Sequence, residues 1–313
     1  MVDASVAIRN AVKPFLQNLE AGDAFLVAVS GGADSLALAA ALFIESKDLA
    51  LKPVAITIDH QLQKDSQKQA ENVAAQLRGI GYAKVLVKKV VVNSDSGIES
   101  GARDARYKAI DQSCEEENAV KVFLGHTRDD QAETVLLGLA RGSGARSLSG
   151  MAIDNGKYIR PLLAITREET EAACKEFNLD FWSDPHNFNT EFTRVRVRRE
   201  VIPYLEENLD PGISKALVRT AALLRDDADA LDQWAARESG DLDCQRLAGL
   251  PKAIRTRIIR SAAIEAGAIP GQLSFEQIGA IDALICAWKG QGAVSLAGGV
   301  KVERISGRLS LSR

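Results

Sequence analysis

The sequence contains few of the residues from which metal centres and disulfide frameworks are built. It has four cysteines and three histidines in 313 residues. The cysteines are far apart and none forms a C-x-x-C pair, so neither a disulfide scaffold nor a zinc ribbon is indicated. Three histidines without paired cysteines are also too few for an ordinary transition-metal site. We interpret the cysteines as reduced thiols.

The sequence also lacks a membrane-spanning run and an export signal. No apolar stretch approaches the roughly 18 residues that a membrane helix needs. The N-terminal segment "MVDASVAIRNAVKPFLQNLE" carries acidic residues and helical periodicity instead of a charged and then apolar leader. We therefore expect a cytoplasmic protein with no membrane partner.

A strong excess of positive charge is missing as well. The net charge is −3, which argues against a uniformly basic nucleic-acid coat but leaves local basic patches open. Residues 1–209 hold 25 basic and 30 acidic side chains, whereas residues 210–313 hold 14 and 12. This asymmetry is slight, so charge alone does not identify a partner.

Apolar segments in the N-terminal two-thirds alternate between strand and helix patterns. The predicted strands include "AFLVAV", "PVAITIDH", "AKVLVKKVVV" and "VKVFLGH", each followed by a helical segment. This order predicts right-handed crossovers and an α/β, Rossmann-like fold with a mostly parallel sheet. From about Pro211 the pattern changes to helices followed by three short strands. We predict a domain at 1–210 and a smaller, mainly helical α+β domain at 211–313.

The stretch "VAVSGGADS" lies where the first strand turns into a helix. Backbone N–H groups and the helix dipole favour an anion at such a junction, and glycines let a phosphate approach the backbone. The spacing is neither a Walker loop nor G-x-G-x-x-G. A tight turn capped by its aspartate is the alternative. The predicted phosphate loop consists of Ser30, Gly31, Gly32, Ala33, Asp34 and Ser35.

Further polar side chains follow other strands. His60 ends the second strand, while Gly125 and His126 precede a helix expected from Asp129 to Arg141. Because ligands of parallel sheets lie at the carboxyl ends of the strands, these segments should converge on one crevice. On that helix Glu133 shares a face with Asp129 and with Asp130. A plain helix start with a Thr127–Asp130 capping box would look similar.

Four blocks of the sequence resemble known enzymes. "SGGADS" resembles the loop of the ATP pyrophosphatase (PP-loop) superfamily, with its adenine nucleotide alpha hydrolase-like fold. "GHTRDDQAETVLLGLARGSGARSLSGM", "RPLLAITREE" and "DPHNFNTEFTRVRVRREVIPYL" resemble successive segments of the tRNA(Ile)-lysidine synthetases. Weaker likeness continues through "LPKAIRTRIIRSAA" and "WKGQGAVSLAGGVKVER". The chain ends without the further domain of long members, so it resembles the short form.

The resemblance implies a reaction. Members of that family use ATP, with Mg²⁺, and L-lysine to convert the wobble cytidine of a CAU-anticodon isoleucine tRNA into lysidine. The implied ATP-binding residues are the phosphate loop with His60, Gly125 and His126. The implied catalytic residues are Asp34, Asp130, Glu133 and Arg103, with Asp34 and Asp129 as magnesium ligands. Asp130 and Glu133 suit capture of the lysine ammonium, whose proton a carboxylate must accept. The sequence does not determine the oligomeric state, and it is compatible with a homodimer.

Basic residues provide the candidate tRNA contacts. Arg103 and Arg106, one helical turn apart, suit a phosphate clamp, although Glu99 and Arg103 also fit a surface ion pair. We predict Arg255 at a domain or tRNA interface. The residues expected to meet tRNA phosphates are Arg194, Arg196, Arg198, Lys252, Arg257 and Arg260.

Two positions depart from the family pattern, and three alternative functions stay open. Val195 and Gln63 stand where the family usually has asparagine and arginine. A tRNA 2-thiolase would need catalytic or cluster-binding cysteines. A small-molecule amide ligase, such as an NAD synthetase-like enzyme, would not need the arginine-rich block. A non-catalytic nucleotide-binding module would not need the carboxylates opposite the loop.

Overall fold

The computed structural model describes residues 3–61, 65–92, 98–182 and 188–313, without the side chains of residues 98–100. Gln63 and the side chain of Glu99 therefore lie outside the described part. The chain divides into two compact units, Met1–Ala222 and Leu223–Arg313. No helix in the described ranges is both long enough and apolar enough to cross a bilayer.

The first unit contains a parallel sheet. Its described strands are β1 (Ala24–Ala28), β2 (Lys52–Asp59), β3 (Lys84–Lys89), β4 (Ala119–Leu124) and β5 (Tyr158–Ile159), in the order β3-β2-β1-β4-β5. All four pairings are parallel. Its first helices are α1 (Ala4–Leu16), α2 (Ala33–Ser46), α3 (Ser66–Ile80), α4 (Ile98–Glu116), α5 (Arg128–Ala140) and α6 (Ala145–Leu148). The predicted α/β class with a parallel sheet is confirmed.

Side chains of β1 alternate between two apolar layers, as the two-residue period of a strand requires. Phe25 and Val27 face the layer that includes α1 and α2. Leu26 faces the opposite layer, together with Ile110 of α4. Burial on both faces explains why "AFLVAV" is continuously apolar. The central strand thus positions the loop that follows it between two helical layers.

The chain after β4 contributes elements that sequence patterns identified only in part. The two-residue strand β5 was not predicted. It pairs with Val122 and Phe123 of β4, so its position depends on that neighbour. The helices that follow are α7 (Arg167–Glu176), α8 (Thr193–Arg196), a π-helical turn (Val197–Val201), α9 (Ile202–Asn208) and α10 (Ile213–Arg237), which runs into the second unit.

The second unit has its own apolar core. It contains α11 (Cys244–Ala248), α12 (Lys252–Glu265), a 3₁₀ turn (Pro270–Gln272), α13 (Phe275–Cys286) and the strands β6 (Val294–Ser295), β7 (Lys301–Ile305) and β8 (Arg308–Ser312). The strands form an antiparallel sheet. Ser274 and Gln277 form the predicted capping box of α13. The smaller, mainly helical α+β unit is thus confirmed.

Candidate active site

The loops at the carboxyl ends of the strands surround one crevice of the first unit. The phosphate loop follows β1, His60 follows β2, and Gly125 and His126 follow β4. Arg160 comes directly after β5. Since these strands are parallel neighbours, their ends lie along the same edge of the sheet. The structure therefore brings the predicted polar segments together.

Two adjacent glycines in the phosphate loop have different structural roles. Gly31 has a φ of +89°, and a Cβ added there would lie 2.6 Å from Cγ2 of Val73. Gly32 has an ordinary φ of −76° as the N-cap of α2. A Cβ on Gly32 would meet nothing closer than Ser30 Oγ at 3.8 Å. The fold thus requires glycine at position 31, whereas the space at position 32 is open.

The first turn of α2 carries no side-chain cap in the described structure. The Ser35 hydroxyl instead donates to the Gly32 carbonyl at 3.0 Å and accepts from the Ser30 N–H at 3.1 Å. These bonds close the loop on itself and leave the N–H groups of the first turn without a side-chain partner. That arrangement suits an anion at the helix N-terminus.

Gly125 brings the segment after β4 against this loop. A Cβ at Gly125 would lie 2.9 Å from Cα of Ser35 and 3.0 Å from the carbonyl oxygen of Asp34. Both neighbours are backbone atoms, which cannot rotate away. Only glycine permits this approach, and the approach places His126 beside the phosphate loop.

Arg167 links two of the predicted acids, and no role was predicted for it from the sequence. Its guanidinium donates to Asp34 Oδ2 from Nη2 at 3.1 Å and from Nε at 3.3 Å. Its backbone N–H donates to Asp129 Oδ2 at 2.9 Å. Thr170 adds a 2.5 Å bond to Asp34 Oδ1. Arg167 lies in "RPLLAITREE", so the family resemblance marked the segment but not the residue.

Asp130 and Glu133 form an ion-pair cluster with two arginines. Glu133 is fully buried and accepts from Arg194 Nε at 2.8 Å and from Arg198 Nε and Nη2 at 2.5 and 3.0 Å. Asp130 Oδ1 accepts from Arg198 Nη2 at 3.1 Å. Asp130 Oδ2 also accepts the Thr127 N–H at 2.9 Å, which confirms the capping box.

Burial and charge act in opposite directions on the carboxyl pKa values. Burial would raise the pKa of Asp130, but the guanidinium groups of Arg194 and Arg167 outweigh it and keep that pKa below its ordinary value. For Asp34 burial dominates, and it raises the pKa in spite of the Arg167 ion pair. The two acids are therefore held in unlike electrostatic environments.

The two histidines near the crevice have lowered pKa values and are incompletely hydrogen-bonded. Burial lowers the pKa of His126 to about 3. Burial is also the main cause of the lowered pKa of His60. The Nδ1 atom of each is buried without a hydrogen-bond partner in the structure. Buried polar atoms are normally paired, so both atoms are candidates for contact with a ligand.

The predicted basic residues lie in several different settings. Arg103 is exposed on α4, 4.9 Å from the Tyr107 ring centre. Arg196 and Lys252 are exposed. Arg257 pairs with Asp232 at 2.6 Å. In the second unit, Arg260 donates to backbone carbonyl groups from both Nη atoms. A tRNA contact of any of these side chains stays a prediction.

Arg194 and Arg198 were expected to contact tRNA, and the structure holds both against Glu133. Arg255 was expected at an interface, but it is 7 % exposed and pairs with Asp282 at 2.5 Å inside the second unit. Arg255 is therefore paired within its own unit.

The magnesium assignment stays a prediction. Nowhere in the described ranges do three His, Cys, Asp or Glu side chains group as a metal site. Asp34 and Asp129 both contact Arg167, and Asp129 uses only one of its carboxylate oxygens for that bond. Mg²⁺ often takes one or two carboxylates and completes its shell with phosphate oxygens and water. The donor set fits such a partial site.

Comparison with known families agrees with this geometry. Residues 4–205 match the family model described as a PP-loop domain. Residues 242–310 match the one described as a TilS substrate binding domain. The first match covers more than half of the chain, which therefore belongs to the PP-loop proteins.

Full-length relatives define the family more narrowly. The tRNA(Ile)-lysidine synthase of Thermobifida fusca (strain YX) is 48% identical over 312 residues, which cover 97% of this chain and 96% of that protein. The tRNA(Ile)-lysidine synthase of Streptomyces coelicolor (strain ATCC BAA-471 / A3(2) / M145) is 50% identical over 294 residues, which cover 91% and 84%. The chain belongs to the tRNA(Ile)-lysidine synthase family.

A solved structure supports the fold alone. The U34-tRNA thiolase NcsA from Methanococcus maripaludis, with its [4Fe-4S] cluster, superposes with a TM-score of 0.59 at 20% identity. The match covers 71% of this chain and 80% of that one. Identity at this level carries no argument about activity.

Proposed function

We propose that this protein ligates L-lysine to C2 of the wobble cytidine of the CAU-anticodon isoleucine tRNA, in the cytoplasm. The cytosine C2 oxygen is first adenylated with ATP, and the lysine ε-amine then displaces AMP to give lysidine. The product pairs as uridine does, so decoding changes from AUG to AUA. The observation that carries the proposal is the phosphate loop inside a chain similar along nearly its whole length to lysidine synthases.

The phosphate loop is suited to the pyrophosphate portion of ATP. Gly31 turns the backbone, Gly32 leaves open space in front of it, and the first turn of α2 offers uncapped N–H groups. Pre-oriented N–H donors stabilise charge that develops on a leaving pyrophosphate without reorganising. This part of the site would act in the adenylation step.

Magnesium belongs to the proposal through the chemistry of ATP. When bound, Mg²⁺ supplies charge neutralisation on the phosphates. Asp129 and Asp34 are the residues that would hold it. Because Arg167 contacts both acids, it lies where it can also balance phosphate charge. Titrating activity against Mg²⁺ in wild type and Asp129→Asn checks the assignment.

Lysine capture is assigned to Asp130 and Glu133. The ε-amine has an unperturbed pKa of about 10.4, so it arrives protonated and a carboxylate must accept that proton. Both carboxylates are occupied by Arg194 and Arg198 in the unligated protein. Lysine must therefore displace at least one guanidinium before its ammonium can reach either carboxylate.

The decisive experiment supplies radiolabelled lysine, ATP and a CAU-anticodon isoleucine tRNA transcript. We expect ATP-dependent label in the tRNA and release of AMP and pyrophosphate. The control is elongator methionine tRNA, which shares the CAU anticodon. Absence of label in the isoleucine tRNA with fully folded protein would refute the proposal. Sedimentation of the same sample checks whether the protein is a homodimer.

The thiolase alternative requires a reactive cysteine, and the environment of Cys174 disfavours it. Cys174 is fully buried, its Sγ donates to the Ala33 carbonyl at 3.3 Å, and burial raises its pKa to about 12. A thiol in that state is a poor nucleophile. Cys114 is also buried, and burial raises its pKa. Neither of these two thiols is therefore a suitable nucleophile.

A further inference from the structure

An aromatic ring and a guanidinium group are stacked on the surface of the first unit. The guanidinium carbon of Arg199 lies over the Phe188 ring, 4.3 Å from its centre. Phe188 is 54 % exposed, and Arg199 is exposed as well. Both groups are planar, so the pair offers solvent a flat surface that carries a positive charge.

The pair lies next to the acids that are assigned to lysine capture. Arg199 belongs to the π-helical turn (Val197–Val201). It directly follows Arg198, which donates to Glu133 from Nε and Nη2. Consecutive residues of a helix point in different directions, so Arg198 faces the acids while Arg199 faces solvent. One helical turn therefore joins the acid cluster to the exposed pair.

The fold itself gives little reason for an exposed phenylalanine at this point. Within α8 and the π-helical turn, Val197 is the one buried residue. The inward arginines, Arg194 and Arg198, attach the same segment to α5 through Glu133. An exposed cation–π contact adds only slightly to stability. The segment is thus anchored by other side chains than Phe188 and Arg199.

The charge of the segment favours a nucleic acid over a protein as the partner of this surface. Arg196 is exposed and lies three residues before Arg199, so the two share a face. Val201, the next exposed large apolar residue along the chain, projects to the other side of the turn. The ring therefore lies among positive charges and not within a wider apolar patch along this turn.

The proposed substrate supplies a planar partner for the pair. A base that is modified within a nucleic acid must leave its stack to reach the reacting groups of the enzyme. When the wobble cytidine turns into the crevice, the bases beside it lose a stacking neighbour. Proteins hold unstacked RNA bases on aromatic rings and on guanidinium planes. The pair on the π-helical turn combines both kinds of surface.

We propose that Phe188 and Arg199 form a stacking platform for a base that adjoins the wobble cytidine in the anticodon loop. This inference rests on the proposed function. The platform holds the loop while the cytidine lies in the crevice, and neither side chain takes part in the chemistry. The stacked base is the adenine on the 3′ side of the cytidine in the CAU anticodon, or the base on its 5′ side.

The test measures tRNA binding in the absence of ATP and lysine. Dissociation constants for the isoleucine tRNA transcript are determined with wild type, Phe188→Ala, Phe188→Leu and Phe188→Trp. Tyr204→Ala is the matched control, because it removes another exposed aromatic ring, from α9. We expect Phe188→Ala and Phe188→Leu to bind about five- to fiftyfold more weakly. Phe188→Trp and Tyr204→Ala should stay within about twofold of wild type.

Equal affinities of wild type and Phe188→Ala would overturn the platform. So would an equal loss in Tyr204→Ala, because the effect would then not be specific to the ring of Phe188. Arg199→Gln should also weaken binding, and its loss should not add to that of Phe188→Ala, since the two side chains form one surface. Full additivity would remove Arg199 from the platform and refute the pair.

Salt dependence separates stacking on a base from contact with a phosphate. Removal of an uncharged ring releases no counterion, so the slope of log affinity against log salt should be the same in Phe188→Ala as in wild type. A slope that is smaller by about one would mean that the ring acts by holding Arg199 against a phosphate. That result would refute base stacking.

Transcripts with one abasic nucleotide identify the stacked base. The transcript that lacks this base should bind wild type and Phe188→Ala equally well, because the contact is already lost. The transcript that is abasic on the other side of the wobble cytidine should keep the difference between the two proteins. If both abasic transcripts keep the full difference, neither neighbour of the wobble base lies on the platform, and the proposal is wrong.

Thermal unfolding without tRNA tests whether Phe188 has a structural role instead. An exposed side chain that is held for a ligand can be replaced with a change of about 2 °C or less in the melting temperature. A much larger fall in Phe188→Ala would identify a structural residue and refute the assignment.

Failure of the proposed function gives a different result from failure of the platform. If wild type binds the tRNA and shows the Phe188 effect but forms no lysidine, the proposed function fails and the platform stands. If wild type transfers lysine and Phe188→Ala binds the tRNA normally, only the platform fails. If wild type binds no isoleucine tRNA, both fail.

Discussion

Replacing Glu133 by glutamine should destabilise the first unit as well as reduce lysine transfer. The Glu133 side chain is 1 % exposed, and those of Arg194 and Arg198 are 28 and 23 % exposed. Breaking a buried ion pair by removing one partner typically costs about 3–5 kcal/mol. The arginines are partly hydrated and glutamine retains one acceptor, so we expect about 2–3 kcal/mol.

This change in stability is measurable. At about 2–4 °C per kcal/mol for a unit of this size, the melting temperature should fall by about 5–10 °C. Glu200→Gln is the control, because Glu200 is an exposed acid on the neighbouring π-helical turn. Its effect should stay within about 0.5 kcal/mol. Thermal unfolding followed by far-ultraviolet circular dichroism compares the two variants.

Activity assays at a temperature where Glu133→Gln stays folded separate stability from chemistry. ATP binding should persist while lysine transfer falls by about 10²- to 10⁴-fold. If Glu133→Gln melts as Glu200→Gln does, the arginine pairs do not stabilise the protein in solution, and the reasoning from them fails. If ATP binding is lost together with transfer, Glu133 belongs to the phosphate site and another group accepts the proton.

Three further predictions follow from the geometry. Gly32→Val should abolish ATP binding without lowering the melting temperature. Gly31→Ala should lower the melting temperature, because Gly31 has a φ of +89°. Calorimetry with ATP measures the binding, and normal ATP binding by Gly32→Val would refute the role of the loop. Burial lowers the pKa of His126 from 6.5 to about 3, so the neutral histidine contributes stability above pH 6.5 that is lost as the pH falls towards 3. His126→Gln should therefore melt with a weaker pH dependence between about pH 6 and about pH 4, and an unchanged dependence would contradict it. Asp282→Asn should destabilise the second unit by about 3 kcal/mol, because it leaves the buried Arg255 without its carboxylate partner. Urea unfolding measures this change. A midpoint urea concentration equal to that of wild type would argue that the pair does not stabilise the unit.

The fold was predictable where one residue pattern excludes the alternatives. The continuous apolar run at Ala24–Ala28, followed by glycines and a helix-forming segment, fits a buried parallel strand and little else. The strand Tyr158–Ile159 gave no such signal. Two residues cannot show a period, and this strand exists because β4 offers it a pairing edge. Tertiary context determined it.

The site was predictable as a set of acids but not as a set of ion pairs. Strand ends and helix spacing indicated that Asp130 and Glu133 would lie together. Their partners, Arg194 and Arg198, are more than sixty residues away. "TRVRVRRE" shows arginines at both two- and four-residue spacing, which fits an exposed strand as well as a helix. Only the observed helical turns put these two arginines on the face that meets the acids.

The pairing of charges in the crevice constrains how the substrates enter. Asp34, Asp130 and Glu133 are all matched by arginines in the unligated protein. These three carboxylates are therefore already occupied by guanidinium groups before lysine arrives. Phosphate groups can enter without breaking an ion pair, but a lysine ammonium must replace a guanidinium at its carboxylate. A bound phosphate that attracts an arginine away from its acid would open a place for lysine, so the same charges would favour adenylation before amine transfer.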